Sequence, residues 1–260
     1  MKQRVITAVI ALLLLTLVLF FVPPMVAQVV IIAVILAGAW EWSAFLGASG
    51  NGVRIVYVCG IGVLLAAVTF APGVDVSLVF KISLLWWMIA LVWTFFYPTA
   101  IPIAVRWIVG VLILVPVYLA LVVLYQADPP ILLFALLVVW VADSGAFFAG
   151  KTMGRVKLAP SISPGKTWEG VIGGLIAVGL LTLVGSVWVE TDLRVLVPFC
   201  LAVACLSVIG DLTISMFKRN AGVKDSGTLF PGHGGVLDRI DSVAAAAPLF
   251  ALGASWAGLK

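Results

Sequence analysis

The chain has 260 residues, 64% of them apolar and only 10% charged, with a formal net charge of +4. Its mean hydropathy is +1.27. A soluble globular domain is far less apolar, so lipid must be the solvent for most of this chain. Apolar runs of about 20 residues recur along it, the length a helix needs to cross a hydrocarbon core of ~30 Å. Backbone groups in lipid must pair internally, so these runs are helices. The short alternating segments of a membrane β-barrel are absent.

In chain order the sequence predicts nine spans, at 5–22, 25–46, 53–71, 78–97, 103–125, 130–149, 168–189, 195–217 and 239–258. Pro, Gly or polar breaks separate them: VPP, GASGNG, APGVD, YPTAIP, QADPP and the loops around WVETDLR. The first span follows MKQR, outruns a signal-peptide core and lacks a small-residue cleavage site, so it reads as a retained helix. With the amino terminus in the cytoplasm, only Lys81, Arg194 and Lys260 of the 15 basic residues fall outside. That is the positive-inside bias. Trp40, Trp42, Tyr97, Trp107, Trp168 and Trp188 stand near span ends, as interfacial anchors do. Cys59, Cys200 and Cys205 sit in apolar runs without the paired spacing of a zinc site. The expected fold is all-α, a polytopic transmembrane helical protein forming one membrane domain over 1–260. Within it, 1–125 supplies amino-terminal spans and 126–260 the catalytic spans and loops.

Two long polar loops, about 150–167 and 218–238, both fall on the cytoplasmic side. The stretch from Lys218 to Ser242 holds seven of the 26 charged residues and the single histidine. Ionisable residues inside spans are expensive and are functional candidates by default. Glu41, Asp143, Asp211 and the pair Asp238/Asp241 qualify. Asp211, Ser215 and Lys218 share one helix face by their spacing, and so do Asp238 and Asp241. Carboxylates beside Lys218, Arg219 and Lys224 suit a magnesium ion bound to phosphates. Magnesium takes one or two carboxylates plus phosphate oxygens and waters, while Arg and Lys meet the remaining phosphate charge. PGHGG adds backbone N–H groups that can approach an anion closely. The blander readings stand beside this one. Inward basic residues also serve topology, Asp211 and Asp238 could simply pair with basic neighbours, and a tight turn explains the surroundings of His233. Glu41, between two tryptophans, is open to a structural or a functional reading.

In the first loop GAFFAGKT, Gly145 to Thr152, matches the G-x-x-x-x-G-K-[ST] phosphate-loop pattern. That loop works between a strand and a helix amino end, whereas here it ends an apolar helix, whose carboxyl end repels phosphate. The match is read as chance. Downstream, SISPGKTWEG places Ser163, Lys166 and Thr167 just before a helix start, a natural anion site.

The run S-x-x-K-R-x4-K-D-x5-P-G-H-G-G-x-x-D-R-x-D, Ser215 to Asp241, resembles the defining motif of the phosphatidate cytidylyltransferases, also called CDP-diacylglycerol synthases. D-x-x-A-F…S-P-x-K-T-W-E-G, Asp143 to Gly170, is similar to that family too, although Gly165 stands where the family commonly carries a lysine. The resemblance is strong in the carboxyl-terminal half and elsewhere extends only to hydrophobic spans. It implies CTP and phosphatidate as substrates, CDP-diacylglycerol and pyrophosphate as products, and Mg2+ as cofactor, in a bacterial inner membrane. On this reading Asp211 and Asp238 are metal ligands, joined by Asp241 and Asp143, and a second cation is compatible. Lys218, Arg219, Lys224 and Arg239 neutralise phosphates, with Ser163, Lys166, Ser215, His233, Gly234 and Gly235 as further substrate contacts. Membrane lipids are partners, nucleic acid is not, and a homodimer is compatible. The alternatives are a CTP-dependent lipid kinase, which would release CDP, and a transporter, which would spread polar residues through the bilayer's depth. The D-G-x-x-A-R pattern of CDP-alcohol phosphotransferases is missing.

Overall fold

The computed structural model describes residues 2–47, 50–186, 191–229 and 234–259, without the side chains of 2–9 and 11. Trp188, His233 and Lys260 lie outside the described residues. Each expected span is met by a helix: α1 (Lys2–Phe20), α2 (Pro24–Trp42), α3 (Asn51–Phe70), α4 (Val76–Phe95), α5 (Ile103–Ala127), α6 (Pro129–Met153), α7 (Trp168–Gly185), α8 (Leu193–Asn220) and α9 (Leu237–Gly253). A 3-10 turn over Ser43–Leu46 extends α2. Among the described residues, α2 with this extension and α3 through α8 are long and apolar enough to cross a membrane, seven in all. The fold is all-α apart from one feature of the loop expected at 150–167. There β1 (Lys157–Ala159) and β2 (Ser163–Thr167) pair antiparallel, with Lys157 opposite Thr167 and Ala159 opposite Ser163.

Local chemistry sets the helix starts. Pro24 and Pro129 open α2 and α6, where a missing N–H costs nothing. The Asp75, Thr167 and Asp192 side chains cap α4, α7 and α8 by accepting from Leu78, Gly170 and Arg194 N–H, satisfying donors the helix leaves unpaired. Helix α5 is apolar all round and lies in the middle of the bundle, against α2, α3, α4, α6 and α9. Peripheral helices show large apolar side chains outward, including Met25, Phe70, Phe95 and Phe148. Such surface suits hydrocarbon and not water.

The two long polar loops lie beside two close helix contacts. Helices α6 and α7 meet over small residues, the packing mode that lipid-embedded helices favour. A Cβ added to Gly145 would lie 2.8 Å from Ala177 Cβ, and one on Gly170 would lie 2.8 Å from the Ala146 carbonyl. The glycines of GAFFAGKT are therefore packing residues for α7. Helices α8 and α9 touch where Gly210 faces the Asp241 carbonyl, 2.5 Å from a notional Cβ.

Gly145→Val should therefore lower the unfolding temperature in detergent, since overpacking a tight contact costs on the order of 1–3 kcal/mol. Gly179→Val on α7, where an added Cβ meets nothing within 4 Å, should be nearly neutral. Equal shifts for the two would contradict the packing role.

Candidate active site

On the last three turns of α8, Asp211, Ser215 and Lys218 share one face, and Ser215 Oγ donates to Asp211 Oδ1 at 3.1 Å. The other Asp211 oxygen receives Lys166, with Nζ 2.5 Å from Oδ2. Lys166 comes from β2, so the hairpin carries a cation across to α8. Both side chains of this pair keep 25% exposure and open toward solvent.

The second pair is more enclosed. Lys218 Nζ donates to Asp238 Oδ1 at 2.7 Å, and the two side chains are 9% and 7% exposed. The same ammonium lies 4.0 Å from Asp241 Oδ2. The remaining Asp238 oxygen, Oδ2, accepts from Ser226 N and Gly235 N, each at 2.9 Å. The bond from Gly235 closes the first turn of α9 in the manner of a capping box. Gly234 makes this turn possible. Its φ of +77° lies in the left-handed region, and a Cβ there would come within 2.5 Å of Asp238 Oδ2.

Asp241 is buried between α8 and α9, with Oδ1 accepting from Ser242 N at 2.8 Å. Ser242 Oγ donates to Asp143 Oδ1 at 3.3 Å, which ties α6 to α9. The Asp211 carboxylate lies within electrostatic reach of both Asp143 and Asp241. Arg219 Nε donates to the Ile162 carbonyl at 3.2 Å and so joins the second loop to the hairpin. Ser163 is half-buried on β2, whereas Lys224 and Arg239 are exposed. Among the described residues neither of these two makes an ion pair. Thus α6, α8, α9 and the hairpin bring Asp143, Lys166, Asp211, Ser215, Lys218, Arg219, Asp238 and Asp241 to one place, with Lys224 and Arg239 on its solvent side. Among the described residues no three His, Cys, Asp or Glu side chains are gathered closely enough to hold a metal as they stand. Two ammonium groups occupy carboxylate oxygens instead.

Two parts of this arrangement were not foreseen. Ser226 and Ser242 supply bridging donors, and a serine in a polar loop or a small-residue helix gives no signal of that. The backbone N–H groups at the start of α9 are also already committed. Gly235 donates to Asp238, while Val236 and Leu237 donate to Glu41, each at 2.8 Å.

Comparison with known proteins places the chain in a family. The cytidylyltransferase family model matches residues 2–255. A phosphatidate cytidylyltransferase of Pseudomonas aeruginosa is 41% identical over 260 aligned residues, covering 96% of each chain. One from Haemophilus influenzae is 37% identical, covering 96% of this chain and 97% of its own. A third, from Staphylococcus saprophyticus, is 47% identical over 120 residues, 45% of this chain and 46% of its own. The chain belongs to the cytidylyltransferase family.

Proposed function

We propose that this protein transfers CMP from CTP to the phosphate of phosphatidate, giving CDP-diacylglycerol and pyrophosphate at the cytoplasmic face of a bacterial inner membrane. The observation that carries the reading is the pair of lysine–carboxylate contacts, Lys166–Asp211 and Lys218–Asp238, side by side at the carboxyl end of α8 and the amino end of α9. One substrate is a lipid with a phosphate head and the other a water-soluble triphosphate. They can meet only at the membrane boundary, where both signs of charge are gathered.

In the reaction a phosphatidate oxygen forms a bond to the α-phosphorus of CTP, and the bond from that phosphorus to the β-phosphate bridging oxygen breaks. The nucleophile is already an anion, so no general base is needed. The obstacle is bringing two anions together and stabilising the charge on the leaving pyrophosphate, which is a matter of positioning and electrostatics. Lys166, Lys218 and Arg219 supply cationic donors within the pocket. Exposed Lys224 and Arg239 stand where a triphosphate would approach from solvent. Ser163 and Ser215 add hydroxyl donors. His233, Gly234 and Gly235 are assigned to the substrate side by the family motif.

Magnesium suits the donor set, since Asp211, Asp238, Asp241 and Asp143 offer only hard oxygens. The ammonium groups on Asp211 and Asp238 mark those oxygens as cation-accepting positions. In that role one or two of these carboxylates would hold the ion, which when bound neutralises phosphate charge. Lys166 and Lys218 would supply ammonium donors to phosphate oxygens. All of these groups come from one chain.

Purified protein given CTP and phosphatidate with Mg2+ should release pyrophosphate, and it should release none with CTP alone. Release of CDP instead would identify a lipid kinase and overturn the assignment. Asp211→Asn and Asp238→Asn should both abolish CMP transfer, yet they should differ in stability. Asp238→Asn strands the buried Lys218 ammonium, and removing one partner of a buried pair costs on the order of 3–5 kcal/mol. Lys166 reaches solvent, so Asp211→Asn should leave the unfolding temperature nearly unchanged. Wild-type turnover by either variant would remove its carboxylate from the site.

A further inference from the structure

Glu41 ends α2, far from the charged motif in sequence, and is only 7% exposed. A carboxylate so enclosed usually meets a cation. Among the described residues this one makes no ion pair. Three donors from the second cytoplasmic loop converge on it instead. Val236 N donates to Oε1, and Ser226 Oγ and Leu237 N donate to Oε2, each at 2.8 Å. Its charge thus stands at the positive amino end of α9, where an anion is stabilised by free N–H groups and the helix dipole. The loop is shaped around it. A Cβ on Gly227 would lie 2.5 Å from Oε1 and 2.8 Å from Cδ, and a Cβ on Gly235 would collide with the same carboxylate. For both glycines the three nearest atoms belong to Glu41.

We propose that Glu41 is a positioning residue for CMP transfer: from the amino-terminal half it fastens Ser226, two residues after Lys224 in the loop between α8 and α9, to the start of α9, so that Asp238 and Asp241 face Lys218 and Asp211. Glu41 touches no substrate. It acts through the loop, joining Ser226 to Val236 and Leu237 through one carboxylate. Two of its three partners are backbone N–H groups, which no side-chain substitution in the loop can remove, and the third is the Ser226 hydroxyl. Glutamine in its place would turn an amide N–H₂ toward donors and lose at least one of the three bonds. The inference rests on the CMP-transfer reading for its kinetic part alone.

The test uses the full-length chain in detergent, with hydrogen exchange measured by peptide alongside steady-state CMP transfer. Glu41→Ala should raise exchange in peptides covering 226–240 and leave those of α5 and α7 unchanged. It should lower kcat roughly 100-fold, the scale that a displacement of about 1 Å away from the chemistry can cost. Added acetate or formate, able to refill the vacated anion position, should restore part of kcat in Glu41→Ala and do nothing for the wild type. Gly227→Ala, which keeps the carboxylate but crowds it, should show the same local rise in exchange. Combined with Glu41→Ala it should add no further loss, since the three atoms nearest its methyl group all belong to Glu41. If Glu41→Ala does not fold, Gly227→Ala alone carries the test. Unchanged exchange at 226–240 in both variants would overturn the clamp whatever happens to turnover. Raised exchange with full turnover would overturn its role in positioning. Absence of CMP transfer in the wild type would instead strike the proposed function and leave the exchange result standing.

Discussion

A buried ammonium in a lipid-embedded protein cannot be left alone, and Lys218 is the point at which this chain meets that constraint. Its partner Asp238 is as enclosed as it is, and Asp241 stands just beyond. A buried pair of this kind adds little net stability, because desolvating both charges offsets their attraction. What it does is penalise every alternative in which one charge is bare. The course of the loop between α8 and α9 is fixed by hydrogen bonds to this pair. Asp238 supplies that fixing by turning one oxygen to Lys218 and the other to Ser226 N and Gly235 N. One side chain therefore sets the end of α8, the middle of the loop and the first turn of α9 together.

The amino-terminal half, which the family motif does not reach, serves as the frame for this arrangement. Trp42 and Trp93 pack on Phe217, with ring centroids 5.1 and 6.0 Å away. They hold the carboxyl end of α8 between α2 and α4. Asn220 Nδ2 donates to the Thr99 carbonyl at 3.2 Å. Arg106 reaches back from α5 to the Phe45 carbonyl at 2.8 Å, and its own carbonyl accepts from Trp42 Nε1 at 2.9 Å. A cation at the carboxyl end of the 3-10 turn meets unsatisfied carbonyls there. The turn that carries Glu41 is thereby held as well. A division at residue 125 separates the parts of the chain by sequence, but the contacts of Trp42 and Trp93 with Phe217 and of Asn220 with Thr99 cross it.

What the sequence disclosed follows from which forces act over short stretches. Bilayer thickness dictates span length, so each expected span coincides with a helix, seven of them among the described residues long and apolar enough to cross a membrane, and the ends moved by only a few residues: α6 runs on to Met153 and α9 stops at Gly253. Faces were visible too, because Ser215 and Asp211 meet through the i, i+4 spacing of a helix. The hairpin was not, since a five-residue strand in a polar loop is defined by its partner and carries too few apolar positions to show a period. Nor were the lysine partners visible. Lys166 to Asp211 and Glu41 to Leu237 join positions remote in the chain, and a lone charge says only that it needs a partner. GAFFAGKT shows the converse: its pattern matched a phosphate loop, while its glycines serve close packing against α7.

The central claim is that carboxylates on α8 and α9, now held by lysines, take a divalent ion beside the phosphates of CTP. Manganese can replace magnesium as a paramagnetic probe, and the phosphorus relaxation of bound CTP then reports how near the ion lies. The account predicts strong enhancement at the α-phosphorus with the wild-type protein, lost in Asp211→Asn while the nucleotide still binds. Equal enhancement in both proteins would mean that the ion travels with the nucleotide alone and that Asp211 does not hold it.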